Sequence, residues 1–253
     1  MGFLHRRRAG DFRPAYAVPT AAPAAGPEED PITDRYSVLA PFYDLLSGEF
    51  PVYGPGRRKA VDLLDLESGA QVLDVGCGTG LNFALLQERI GPAGRILGID
   101  RSAGMLRRAR RRAERSGWAN VLLVQADATT LRPAAVGACA VAHGGRALSD
   151  AALATYSLSL MPSWKDAWER MLALSAPGAS VAVVDMQEPT GPFAAAAPLA
   201  RLACRLGGSD IAAHPWTAAE RGLSDLRSAS VRGGHIQIRT GRYSPGGETP
   251  PGT

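Results

Sequence analysis

The sequence predicts a doubly wound α/β fold: a mostly parallel, seven-stranded sheet with helices on both faces and an antiparallel hairpin at its C-terminal end. Three observations predict it. Strand-length apolar runs alternate with helix-length amphipathic segments between residues 70 and 186, the pattern of repeated βα units. Those runs are continuously apolar, as strands covered on both faces must be. Finally, SASVRGGHIQIRTG (228–241) reads as two strands about a Gly233–Gly234 turn, a pair suited to a tight hairpin.

Each element follows from its residues. Residues 1–31 are rich in Ala and Pro with few large apolar groups. They cannot repay the entropy of ordering and read as a flexible, disordered arm. The folded domain spans 32–242, and 243–253 form a flexible tail. In RYSVLAPFYDLLSGEF, Tyr36, Leu39, Phe42, Tyr43 and Leu46 recur at helical spacing, with Pro41 splitting the segment into two short helices. AQVLDV (70–75) is a buried strand, and LNFALLQERIGP (81–92) a helix stopped by Gly91 and Pro92. RILGID (95–100) is the second strand. Ser102 caps a helix whose apolar stripe is Met105, Leu106, Ala109 and Ala113. NVLLVQAD (120–127) is the third strand, and 128–149 a loop with one short helix. AALATYSLS (151–159) is the fourth strand, 163–178 a helix, SVAVVDM (180–186) the fifth strand, and 193–206 helical.

Composition limits the function classes. At 253 residues with 45% hydrophobic content, the chain suits one α/β domain with a sizeable core. No uncharged stretch reaches the roughly 18 apolar residues of a membrane span, and prolines break the N-terminal region before a signal core forms. A cytoplasmic protein is expected, with at most peripheral contact to a membrane. Cys77, Cys139 and Cys204 are widely spaced and odd in number, so neither a disulfide framework nor a metal site is expected.

The net charge of +4 is concentrated. The arm carries four arginines against four acids, whereas 101–117 holds seven arginines and one acid. Arg107, Arg108, Arg111, Arg112 and Arg115 are therefore candidates for a membrane-surface contact, against the plainer reading of a solvated helix face. No specific nucleic-acid partner is expected, and the oligomeric state is not readable.

The chemistry lies in VLDVGCGTG (72–80). Glycines at Gly76, Gly78 and Gly80, after a strand and before a helix, permit a sharp turn and close approach of a ligand to the backbone. A dinucleotide fingerprint would place its third glycine at position 81, where this chain has Leu81, and Asp74 would oppose a diphosphate. Both features favour a ligand with a cationic amino-acid end. Asp100 ends the second strand twenty residues after Gly80, the spacing at which an acid takes two ribose hydroxyls.

At these residues the sequence resembles the class I S-adenosylmethionine-dependent methyltransferases, whose first motif looks like VLDVGCGTG. The resemblance implies a Rossmann-like fold, S-adenosyl-L-methionine as cofactor, and a binding set of Asp74, Gly76, Cys77, Gly78, Gly80, Asp100, Arg101, Met105, Asp127 and Ala128. In that set Asp74 and the glycines hold the methionine end, Met105 faces the adenine, and Asp127 with the Ala128 amide reads the adenine amino group. It also implies that Tyr36, Tyr43 and Tyr156 stand around the acceptor. Cys77 reads as a small filler. Tyr156, His143, His214, His235 and Asp185 are bases to consider, and none is assigned.

The segments RYSVLAPFYDLLSG, SGWANV, ATYSLSLMPSW and GGHIQI look most like bacterial phosphatidylethanolamine N-methyltransferases and the ubiquinone/menaquinone C-methyltransferases. A small-molecule or lipid acceptor is implied, leaning to phosphatidylethanolamine-type N-methylation. Quinone C-methylation and small-molecule O-methylation are the alternatives within the class. Outside it stand an NAD(P)-dependent oxidoreductase and an arginine-rich nucleic-acid or membrane-surface binder.

Overall fold

The computed structural model describes residues 15–17, 53–191, 194, 197–198, 201, 204 and 208–246. The expected entry helices, with Tyr36 and Tyr43, lie outside the described residues, as does most of the expected helix at 193–206.

In chain order the elements are β1 (Ala15–Ala17), α1 (Gly54–Leu63), β2 (Gln71–Val75), α2 (Phe83–Ile90), β3 (Arg95–Asp100), α3 (Ala103–Ser116), β4 (Val121–Gln125) and α4 (Pro133–Ala142). Then follow β5 (Ser149–Thr155), a 3₁₀ turn (Leu158–Leu160), α5 (Trp164–Ala173), β6 (Ser175–Met186), α6 (Trp216–Gly222), β7 (Ser224–Val231) and β8 (Ile236–Arg242). The sheet order is β1-β4-β3-β2-β5-β6-β8-β7. Neighbours from β1 to β6 pair in parallel, and β8 runs antiparallel to both β6 and β7. The Rossmann-like sheet is thus present with its C-terminal hairpin.

Two details differ from the sequence reading. Ala15–Ala17, assigned above to the arm, adds an eighth, edge strand by pairing with Leu122–Val124; an open edge accepts backbone pairing with little demand on side chains. The helix α6, not anticipated, forms from WTAAERG, whose roughly two turns are too few for a clear apolar period. At the hairpin, His235 N–H donates to Arg232 at 3.2 Å. Gly233 and Gly234 both have positive φ, the two-residue turn the sequence implied.

The period-2 geometry of a strand explains the two cores. Val72, Ile96, Val121 and Leu123 face α1, α2 and α3 through Leu64, Phe83, Leu86 and Leu106. Leu73, Leu97, Leu122 and Val124 face α4, α5 and α6 through Val136, Trp168, Met171 and Trp216. Each run is apolar throughout because both of its faces are covered.

The chain builds β2, β3 and β4 outward in one direction, then returns to place β5 on the other side of β2. The order reverses between β2 and β5, and ligand crevices of open α/β sheets form at the carboxyl ends of such a pair. The glycine bend and Thr155 lie there.

Candidate functional site

Gly76, Gly78 and Gly80 have φ of +67°, +54° and +77°, a left-handed region costly for residues with a Cβ. Their surroundings differ. A Cβ at Gly76 would stand 2.4 Å from Ser157 Cβ, and one at Gly80 would stand 2.6 Å from the Phe83 ring. A Cβ at Gly78 would meet nothing within 4 Å. The sequence reading gave all three one purpose; two clear room for the protein's own side chains, and Gly78 faces open space. Cys77 is buried, and a Cβ on Gly98 would lie 3.0 Å from its Sγ. Burial first, then the Asp100 and Asp74 charges, push its thiol pKa well up, which disfavours the thiolate that a nucleophile needs.

Asp100 joins the bend to α3. Its Oδ2 accepts the Gly78 N–H at 2.9 Å and its Oδ1 the Ser102 N–H at 2.8 Å. Ser102 Oγ in turn accepts the Met105 N–H at 3.3 Å, the expected cap. After one bond each, both carboxylate oxygens keep acceptor capacity. Burial raises the Asp100 pKa, the two N–H donors and Arg101 oppose that shift, and Asp127 adds to it. Asp127, half-buried beyond β4, accepts Thr129 N–H at 2.8 Å and Thr129 Oγ–H at 2.6 Å through Oδ1. It therefore shapes its own turn while lying close enough to Asp100 to be felt by it. Ala128 and Met105 are buried and Arg101 is exposed.

Asp74 stands beneath the bend with no exposed surface. Asn82 Nδ2 donates to both of its oxygens at 3.0 Å and to Thr155 Oγ1 at 3.1 Å. Arg57, from α1, donates to Asn82 Oδ1 at 3.1 Å and to Thr155 Oγ1. Burial raises the Asp74 pKa to about 7; the Asn82 bond and Arg57 lower it, and Asp100 raises it. Asp74 thus holds Asn82 in place, its own oxygens being enclosed. Sequence reasoning missed Arg57, Asn82 and Thr155. One signal was present, a polar Asn at the start of the otherwise apolar LNFALL; Arg57 and Thr155 join it only through tertiary contact.

Tyr156 follows β5 with φ +56°. Its hydroxyl donates to the Tyr53 carbonyl at 2.8 Å, its ring lies 4.8 Å from that of Tyr53, and the Arg57 guanidinium sits 5.0 Å from its centroid. It packs, partly buried, against the core. Ser157 Oγ–H donates to Val75 O at 2.8 Å, tying β5 back to β2.

The other titratable groups considered are engaged. Asp185 is buried, accepts Ser159 N–H at 3.0 Å, Ser159 Oγ–H at 2.6 Å and Met186 N–H at 2.9 Å, and burial raises its pKa to about 6. It anchors the 3₁₀ turn and, through Ser159 and Ser209 at 2.6 Å, the returning chain. His143 Nδ1 lies 2.8 Å from Cys139 O and His235 Nδ1 2.5 Å from Gln187 O; His214 stacks 4.7 Å from Trp216. A cavity of about 420 Å³ near Asp65, Arg146 and Arg242 opens at the amino ends of β2 and β5, away from the bend. Among the described residues no cluster could hold a metal ion.

Residues 72–178 match the family model of a methyltransferase domain. The chain is similar to aklanonic acid methyltransferase of Streptomyces sp. (strain C5), 35% identical over 39% of this chain and 44% of that one. It is also similar to 2-phytyl-1,4-naphtoquinone methyltransferase of Thermosynechococcus vestitus, 31% identical over 60% of this chain and 62% of that one. It spans less than two thirds of either relative. Mitomycin 7-O-methyltransferase has the same fold, with a TM-score of 0.61 and 19% identity over 84% of this chain and 60% of that one.

The family match over residues 72–178 and the shared fold make that segment similar to a methyltransferase domain, in keeping with the class I S-adenosylmethionine-dependent methyltransferases that the sequence resembles. The cofactor of that class is S-adenosylmethionine, and the residues here suit it. Gly78 leaves its backbone open to a ligand, Asp100 keeps acceptor capacity on both oxygens, and Asp74, whose pKa burial raises to about 7, lies behind the bend where a bound cation would favour its ionised form.

Proposed function

We propose that this chain is a methyltransferase that uses S-adenosylmethionine to methylate a small-molecule or lipid acceptor of the quinone type. Gly78 carries the reading: a positive-φ glycine whose missing Cβ opens onto free space, fixed by its N–H to the carboxylate of Asp100. In this reading Gly76–Gly80 cradle the methionine end, and the cationic end of the ligand draws the proton off Asp74 behind them, whose pKa of about 7 leaves it poised to ionise. Asp100 takes the ribose hydroxyls. Met105, Asp127 and the Ala128 amide bound the adenine, with Arg101 exposed at the rim, and Tyr156 borders the acceptor together with Tyr36 and Tyr43. The quinone-type acceptor is favoured because a relative with a naphthoquinone in its name matches over 60% of this chain.

The cofactor supplies a methyl group on a sulfonium, already a strong leaving group. The protein's part is chiefly orientation, worth roughly 7–11 kcal/mol in well-aligned systems. Asp100 and Ser102 fix the bend against α3, while Asn82, Thr155 and Arg57 fix it against β5 and α1. An electron-rich carbon acceptor of the quinol kind needs little more than alignment.

Calorimetric titration with S-adenosylmethionine should give binding heat, and NADH none. A labelled-methyl assay offering reduced naphthoquinones, phosphatidylethanolamine and hydroxylated aromatics should label the quinol. Label in phosphatidylethanolamine would restore the N-methylation reading, and heat with NADH alone would remove the methyltransferase reading.

A further inference from the structure

The arginines of α3 have no part in the site described above. The helix buries Met105, Leu106, Ala109 and Ala113 against the sheet. At 100° per residue, Arg107, Arg108, Arg111, Arg112 and Arg115 fall on one arc of about 140° on the opposite side, over a length of about 12 Å. Arg107, Arg111 and Arg115 are exposed, and Arg108 and Arg112 half-buried. The helix has a single acid, Glu114, and it is committed to Arg110 at 2.9 Å. Among the described residues, Arg107, Arg108, Arg111 and Arg115 have no acidic partner within ion-pair distance. Four like charges on one convex helical face repel one another, and a surface of opposite charge relieves that cost.

We infer that this face docks the protein on an anionic lipid surface. The choice of a bilayer rests on the proposed quinone-type acceptor, which with a long hydrocarbon tail is dissolved in membrane and must be reached from it. No described helix is long and apolar enough to cross a membrane, so contact is by a face. The arginine face is convex and carries no aromatic side chain, whereas single-stranded nucleic acid is held in basic grooves with aromatic stacking platforms. Clustered arginines bind acidic headgroups in a salt-dependent way. The first turn of α3 leaves the crevice directly after Asp100 and Ser102, so docking along α3 holds the crevice within a helix length of the bilayer.

The full chain is to be sedimented with phosphatidylcholine vesicles and with vesicles that also contain phosphatidylglycerol, across a salt series. Binding only to the phosphatidylglycerol vesicles, lost as salt rises, is expected. A variant with Arg107→Gln, Arg108→Gln, Arg111→Gln and Arg115→Gln should bind them at least about tenfold more weakly with S-adenosylmethionine affinity unchanged. Arg111→Glu alone provides the same comparison with less change to the helix, and should weaken vesicle binding in the same direction. Equal binding to both vesicle types, or undiminished binding by both variants, overturns the inference. So does retention on a single-stranded RNA oligonucleotide together with no vesicle binding. The calorimetric titration reads out separately: cofactor binding without vesicle binding defeats the lipid surface alone, and vesicle binding without cofactor binding defeats the methyltransferase reading alone.

Discussion

The carboxylate of Asp100, at the end of β3, accepts the backbone N–H of Gly78 at 2.9 Å, across the mouth of the crevice. One side chain thereby sets the shape of the bend and remains able to accept bonds from a ligand. Asp100→Ala removes both functions. It should weaken S-adenosylmethionine binding by about 1.5–3 kcal/mol, the range for hydrogen bonds to charged groups. Calorimetry on the purified variant checks this, and unchanged affinity would take the ribose assignment away from Asp100.

Gly78 and Gly80 should behave differently when a methyl group is added. Gly80→Ala drives a Cβ to 2.6 Å from Phe83, which is fully buried, and overpacking with positive-φ strain should cost about 2–4 kcal/mol of stability. Gly78→Ala meets only the strain, about 1–2 kcal/mol, yet should abolish most cofactor binding. Denaturant melts paired with titration separate the two. Equal loss of stability in both variants would contradict the open space at Gly78.

Stability should fall as pH rises from about 4 to about 7. The folded state holds the Asp74 proton up to about pH 7, against an ordinary value of 3.8. It therefore binds more protons than the unfolded chain across that window, and ionisation there favours unfolding. Asp185, raised to about 6, acts in the same sense. The loss attached to Asp74 is on the order of a few kcal/mol. Asp74→Asn should flatten, without abolishing, the decline in urea midpoint between pH 4.5 and 7.5; an unchanged slope would remove Asp74 as its source.

Tyr156→Phe deletes the hydroxyl that donates to the Tyr53 carbonyl and should cost about 0.5–1.5 kcal/mol of stability. Ring packing and the Arg57 contact remain. If the ring alone borders the acceptor, KM changes little and kcat is kept. A large fall in kcat with a small change in stability would instead make the hydroxyl a participant in the reaction.

Much of this was legible beforehand because it depends on local chemistry. The run RILGID gave a strand with the same limits as β3, and Ser102 capped α3 as its type and position required. The Gly233–Gly234 pair made the hairpin. The match to a methyltransferase domain begins at the motif that first raised the class. The pairing of Ala15–Ala17 with β4 was not legible, because an edge strand that short leaves no periodicity, and neither was α6, for the same reason. The three glycines looked equivalent in a string of letters. Only the positions of Ser157 and Phe83 show that two of them face protein.

The sequence by itself determined the alternation of strands and helices, the bend after β2 and the acids at the ends of β2, β3 and beyond β4. Each depends on neighbours in the chain, on periodicity, capping and the conformational freedom of glycine. Tertiary structure decided what those acids do. Asp74 was enclosed by Asn82, eight residues further on across the glycine bend, and that pair was closed by Thr155 and Arg57. Charge, burial and hydrogen bonding are properties of neighbours in space. When β5 returned to the far side of β2, it brought Thr155 to Asn82, the partner of Asp74, and made a strand-end acid part of a buried network.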